Sequence, residues 1–168
     1  VRPVRRPPRL CTSLHGRRYL CENYDKERRL IPTDTAQRAR TQIFLHAAEG
    51  TLALHAIAAF YFRIFMPAQF RESSADVVAA AEARLAATVA KDMDWLEREL
   101  AESTGPFLVG AALTAADIMV LFVVQLVYKF KFGGEGKAWR KVEAWVKACE
   151  DTPSYKRAVE RSGFTLEA

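Results

Sequence analysis

Residues 104–128, TGPFLVGAALTAADIMVLFVVQLVY, constrain the fold more than any other stretch. The first half is punctuation: a Gly105-Pro106 turn signal, a short apolar patch at Phe107, Leu108 and Val109, then Gly110. Thr114 at N-cap and Asp117 three residues on have the spacing of a capping box, in which each side chain bonds the other's backbone N–H. Leu113 before the cap and Ile118 at the fourth helical position are placed to close over it as a hydrophobic staple. The Asp117 carboxylate also faces the positive end of the helix dipole. From Ile118 to Val127 only Gln125 is strongly polar, and a helix apolar all round is expected to be buried on all sides. This is the predicted central helix. Thr114 and Asp117 are read as fixing where it starts, a structural task rather than a chemical one.

A chain of 168 residues suits one domain with a full core, and 27% charged residues with half the chain hydrophobic is globular composition. The net charge of +5 is unevenly spread. Residues 1–29 hold nine Arg/Lys against three acids, whereas the remainder holds 16 basic and 17 acidic residues. The body is therefore neutral, which argues against a nucleic-acid interface, since that needs a basic stripe on the folded face. Three cysteines, Cys11, Cys21 and Cys149, form neither a C-x-x-C pair nor an even disulfide framework, so a reducing, cytoplasmic setting is expected. No uninterrupted apolar run reaches the ~18 residues of a membrane span, and no membrane association is expected. The first residue is Val, so the chain is read as a piece of a longer one.

Along the chain, Pro3, Pro7 and Pro8 make residues 1–18 an extended, disordered basic arm. Tyr19 to Tyr24 allows one or two helical turns before a charged loop. Thr33 or Asp34 caps a long helix that runs to Phe65 with a bend at Gly50. On it Ile43, Ala47, Leu54 and Ala58 fall near one face, beside Leu45, Leu52 and Ala56. Ser73 or Ser74 starts a helix to about Glu102, on which Val78, Leu85, Val89, Met93, Leu96 and Leu100 recur with amphipathic spacing. After the central helix come a Gly133-Gly134 turn, a helix with the stripe Trp139, Val142, Trp145, Val146 and Cys149, and a short last helix capped at Thr152-Pro153. No stretch alternates as a strand does. The prediction is an all-α bundle of about five main helices.

Few residues have catalytic patterning. His46 and His55, nine apart, point to opposite sides of a regular helix and cannot share a metal. His46 and Glu49 face the same way without a further ligand pair to complete a site. No phosphate-binding glycine loop, G-x-S-x-G or H-E-x-x-H is present, and Trp95, Trp139 and Trp145 have core spacing. No catalytic residue, metal ligand or bound cofactor is assigned.

PFLVGAALTAADIMV resembles the C-terminal all-helical domain of glutathione transferases, where F/Y-L-x-G-x-x-x-T/S-x-A-D precedes the core helix. Three further blocks match in order. YLCENYDKERRLIPTD resembles the end of the family's thioredoxin-like half and its linker, AQRARTQIFLHAAEGTL its first long helix, and VEAWVKACEDTPSYKRAVE its closing helices. The resemblance implies three parts: the arm at 1–18, a remnant of the thioredoxin-like half and linker at 19–32, and the helical domain at 33–168. It implies conjugation of glutathione to an electrophile as the family reaction, with glutathione a co-substrate only where the thioredoxin-like half is complete. That half supplies an activating Ser, Tyr or Cys, a cis-proline and a Glu-Ser pair. Here Ser13 falls at that serine and Thr12 stands in place of the acid, so the role is not carried over. The cleft-facing side of the first long helix lines the electrophile pocket in the family, and helical spacing nominates His46, Glu49, Ala53 and Ile57 as substrate-binding residues. The alternative is a non-catalytic protein–protein interaction module of the same helical type. Either reading implies a homodimer or a partner protein, because the family's helical domain buries one face against the other half and another against a second subunit.

Overall fold

The computed structural model describes residues 14–133, 136–164 and 166, and all of its regular structure is helical. Among the described residues the sole β feature is an isolated Phe107–Gly110 bridge. The expected arm lies outside the described residues as far as residue 13, as does Gly134 of the expected glycine turn. Helix α1, Leu14–Tyr24, begins five residues earlier than the sequence indicates.

After α1, a loop closes tightly on Asp25. Its carboxylate accepts the Arg29 and Leu30 N–H groups, and the Leu30 carbonyl accepts the Ala115 N–H at 2.9 Å. The linker thus satisfies an N–H that the start of the central helix would otherwise leave open. Asp34 caps α2, Thr35–Ala47, by accepting the Gln37 N–H at 2.9 Å.

From α2 the helix continues without a break through a π-helical turn, Ala48–Ala53, into α3, Leu54–Phe65. The bend expected at Gly50 is this wide turn. One added residue per turn rotates everything beyond it by about 100° relative to a regular helix. The core stripe runs Phe44, Leu45, Ala48, Leu52, Ala56, Ala59, all buried. Ile43 and Leu54, expected near the apolar face, are exposed instead, and the core face runs through Leu45, Leu52 and Ala56 beside them. By length and composition alone the run Thr35–Phe65 could span a bilayer, although no uninterrupted apolar stretch in it reaches that length. Its buried stripe in the common core makes it a core helix.

A short α4, Ala68–Ser73, leads into α5, Ala75–Glu102, whose Val89, Met93, Leu96 and Leu100 are buried. The central helix is α6, Ala115–Phe130, followed by α7, Arg140–Glu150, and α8, Pro153–Ser162. Thr152 caps α8 by accepting the Tyr155 N–H, as its Thr-Pro start indicates. At the far end of α6, Phe60, Phe130 and Phe132 form an aromatic cluster, with ring centroids 5.1 Å apart for Phe60–Phe130 and 5.5 Å for Phe130–Phe132.

Helix α7 has no side-chain cap from its own N-cap residue, Trp139. Glu97 of α5 supplies one from outside. Its carboxylate accepts the Lys141 N–H at 3.0 Å and the Val142 N–H at 2.9 Å. One turn earlier Asp94 accepts the Trp139 indole N–H at 2.8 Å and a Lys137 ammonium bond at 2.6 Å, bonds that hold its carboxyl below the usual range. Glu97→Ala should therefore cost about 0.5–2 kcal/mol, the worth of a helix cap. Denaturant midpoints measure it, and an unchanged midpoint would remove Glu97 from this role.

Candidate functional site

The start of α6 is built around one carboxylate. Asp117 is fully buried, and its two oxygens accept four donors. Oδ2 takes the Thr114 N–H at 2.8 Å and the Thr114 hydroxyl at 3.0 Å, and Oδ1 takes the Leu108 N–H and the Trp145 indole N–H, both at 2.9 Å. The capping box is present, and it is part of a larger clamp joining the turn before α6 to α7. A carboxylate with four donors has no lone pair directed at a substrate, which makes Asp117 structural.

The staple takes a different form. Ile118 is 46% exposed, and one turn on Phe122 is 48% exposed, so α6 is not buried on all sides. Ile118 and Phe122 line an open cleft of about 440 Å³ between α6 and α8, together with Leu113, Leu121, Tyr155 and Phe164. Within its lining Gln125 donates to Glu150 and to the Tyr155 hydroxyl. Cys149 also lies there, its thiol pushed up by burial and further by Asp117 and Glu150. Protonated and enclosed, it is a poor nucleophile.

A second, polar groove of about 520 Å³ separates α1 from α2. His46 lines it, along with the donors Arg28, Arg38, Gln42 and Thr35 and the acids Glu22 and Asp25. Cys21, also in the lining, has its thiol raised by partial burial and then by Asp25 and Glu22. The other nominated residues lie elsewhere. Glu49 is exposed on the π turn, Ala53 is half-buried against the core, and Ile57 is on the outer face of α3. His46 and Ile57 lie on either side of the π turn, in α2 and α3. The arginines were passed over in the sequence, although Arg38, Gln42 and His46 at i, i+4, i+8 mark one side of α2.

His55 bonds Asp92 of α5 at 2.6 Å, tying α3 to α5, and among the described residues no group of three or more His, Cys, Asp or Glu could hold a metal. Tyr128 has a buried hydroxyl without a partner among the described residues; burial, then Glu143 and Glu97, push its phenol well above the ordinary range. The thiols of Cys21 and Cys149 and the phenol of Tyr128 are thus all shifted away from ionisation, so none is itself an activated nucleophile.

The model of the glutathione S-transferase C-terminal domain family matches residues 52–153. A search of curated proteins finds no match. Among solved structures, a Bombyx mori glutathione transferase is similar with 23% identity and a TM-score of 0.61, over 89% of this chain and 59% of that one. A glutathione S-transferase from Actinobacillus pleuropneumoniae aligns with 19% identity and a TM-score of 0.68, over 91% of this chain and 64% of the other. Ure2p5 from Phanerochaete chrysosporium, cocrystallised with 1-(S-glutathionyl)-2,4-dinitrobenzene, aligns with 18% identity and a TM-score of 0.70, over 89% and 67%. The chain spans less than two thirds of the length of the first two, and at these identities the likeness is one of fold. With more than half of its residues matched by the family model, the chain belongs to the glutathione S-transferase C-terminal domain family.

Proposed function

We propose that this chain is the helical half of a cytoplasmic, glutathione-transferase-type protein whose family reaction joins glutathione to a small electrophile, and that the helical half alone does not conjugate. The observation that carries this reading is the chemistry of its clefts. The α6–α8 cleft is apolar, its one thiol, Cys149, is kept protonated by burial, and the Tyr128 hydroxyl is enclosed outside it. Thiolate attack requires a hydrogen-bond donor or cation at the glutathione sulfur, which the resemblance assigns to the thioredoxin-like half. The division into arm, linker remnant and helical domain belongs to the same reading, with the open cleft as a docking face. His46, Glu49, Ala53 and Ile57 remain the nominated electrophile-binding residues. The purified 168-residue chain should show no conjugation of glutathione to an aromatic electrophile. Turnover that survives replacement of Cys11, Cys21 and Ser13 would contradict the proposal.

A second reading, a non-catalytic interaction module, is favoured by a separate observation. Leu54, Ile57, Tyr61 and Ile64 recur at helical spacing on the outer face of α3, and all are exposed, as is Phe65. Exposed apolar patches beyond a few hundred Å² mark interfaces, and aromatic side chains dominate their energetics. Under both readings the chain self-associates or binds a partner protein, through this face rather than the basic N-terminus, and nucleic acid and membrane are not partners. Light scattering at micromolar concentration should give a dimer or larger, with and without residues 1–13. Monodisperse monomer for both, with no binding of an apolar dye, would overturn the expectation.

A further inference from the structure

The polar groove between α1 and α2 has chemistry that the transferase reading does not use. Its donors come from two directions. Arg28 projects from the loop after α1, where it holds a left-handed backbone conformation, φ 50°. Asp25 fixes that loop, with its carbonyl accepting the Arg28 N–H and its carboxylate accepting the next two N–H groups. Arg38, Gln42 and His46 come from successive turns of α2, and Thr35 lies one turn before Arg38. None of these five side chains makes a hydrogen bond or ion pair with another described residue. By contrast Arg40, two positions from Arg38, is spent on the Leu108 and Glu99 carbonyls and on the Glu99 carboxylate. The arginines of α2 are therefore divided: one locks α2 to α5, and the other faces the groove. Of the two acids in the lining, Asp25 has both oxygens accepting loop backbone N–H groups, and Glu22 is engaged in an interaction of its own.

We propose that this groove binds a small oxyanion, a phosphoryl group or a dicarboxylate, held between the Arg28 and Arg38 guanidinium groups with Gln42, His46 and Thr35 as further donors. Guanidinium groups pair with such anions through two parallel N–H bonds each, which distinguishes the ligand from a monovalent ion of equal charge density. The lining comes wholly from residues 21–46, so binding requires neither a thioredoxin-like half nor conjugating activity, and its outcome is independent of that reading.

The test is titration of the full chain with inorganic phosphate and, separately, with succinate, at ionic strength held constant with sodium chloride. Amide and side-chain N–H resonances are followed by nuclear magnetic resonance. Saturable shifts confined to Arg28, Arg38, Gln42 and their neighbours are expected with at least one probe, and which probe binds more tightly identifies the phosphoryl or the carboxylate source. Arg28→Ala and Arg38→Ala should each weaken binding about tenfold or more, the loss of a charge-assisted pair. Arg38→Lys should restore part of it, and Arg84→Ala, outside the groove, should change nothing. Both arginines are exposed, so these variants fold. Shifts matched by chloride alone, or undiminished in the Arg28→Ala/Arg38→Ala double variant, would overturn the proposal.

Discussion

Asp117→Ala is expected to destabilise the domain by more than about 3 kcal/mol, because it leaves the Leu108, Thr114 and Trp145 N–H donors without an acceptor and each buried orphan costs roughly 1–3 kcal/mol. All three bonds are 2.8–2.9 Å long and lie in the core. An ordinary helix cap would lose only about 0.5–2 kcal/mol, the cost expected for Thr114→Ala. The two variants therefore separate a clamp from a cap. Asp117→Asn should fall between them, since its amide retains one acceptor oxygen and turns a donor toward a donor on the other side. Denaturant unfolding at neutral pH reads all three. If Asp117→Ala and Thr114→Ala cost the same, the Leu108 and Trp145 bonds add nothing and the clamp is only a cap.

The second large effect is expected at Gly105. A Cβ there would sit 2.5 Å from the Gly110 carbonyl oxygen and 2.8 Å from the Ala111 Cα. These are backbone atoms of the turn that places Leu108 under Asp117, so they cannot swing aside as a side chain would. Gly105→Ala should cost at least the 1–3 kcal/mol typical of overpacking, about 3 kcal/mol at this site. Gly50→Ala provides the contrast. A Cβ at Gly50 meets nothing within 4 Å, and its helical backbone suits alanine. That change should be neutral or stabilising by up to about 1 kcal/mol. Thermal unfolding of the pair reads the difference, and equal midpoints would mean that the Gly105–Gly110 approach yields without cost.

These two sites show which parts of the fold were legible in the sequence. The caps at Asp34, Thr114 and Thr152 were readable because donor and acceptor lie within three residues of each other. The stripe of α7 was readable because its spacing is regular. Asp117 was recognised as a box partner, but two of its four donors come from Leu108, nine residues away, and Trp145, 28 residues away. The Glu97 cap on α7 spans 44 residues to Lys141. No local pattern encodes such pairs. The π turn was missed for a related reason: Gly50 marks a weak point in a helix, whereas the direction in which the helix yields is set by what packs on either side. Ile43 and Leu54 fell outside the core because the buried face runs through Leu45, Leu52 and Ala56 beside them. The exposure of Ile118 and Phe122 was hidden because apolar composition shows that a helix seeks cover and not which face receives it.

The central claim is that Asp117 is the structural clamp of the domain rather than a catalytic acid, and the Trp145 indole N–H reports on it most directly. Hydrogen exchange of the three tryptophan indoles, followed by nuclear magnetic resonance, distinguishes a buried bond to Asp117 from mere proximity. Protection of the Trp145 indole N–H as strong as that of the slowest α6 amides, so that it exchanges only on global unfolding, is the predicted result, lost selectively in Asp117→Asn. Exchange of that proton at the rate of an exposed indole in the unaltered chain would contradict the claim.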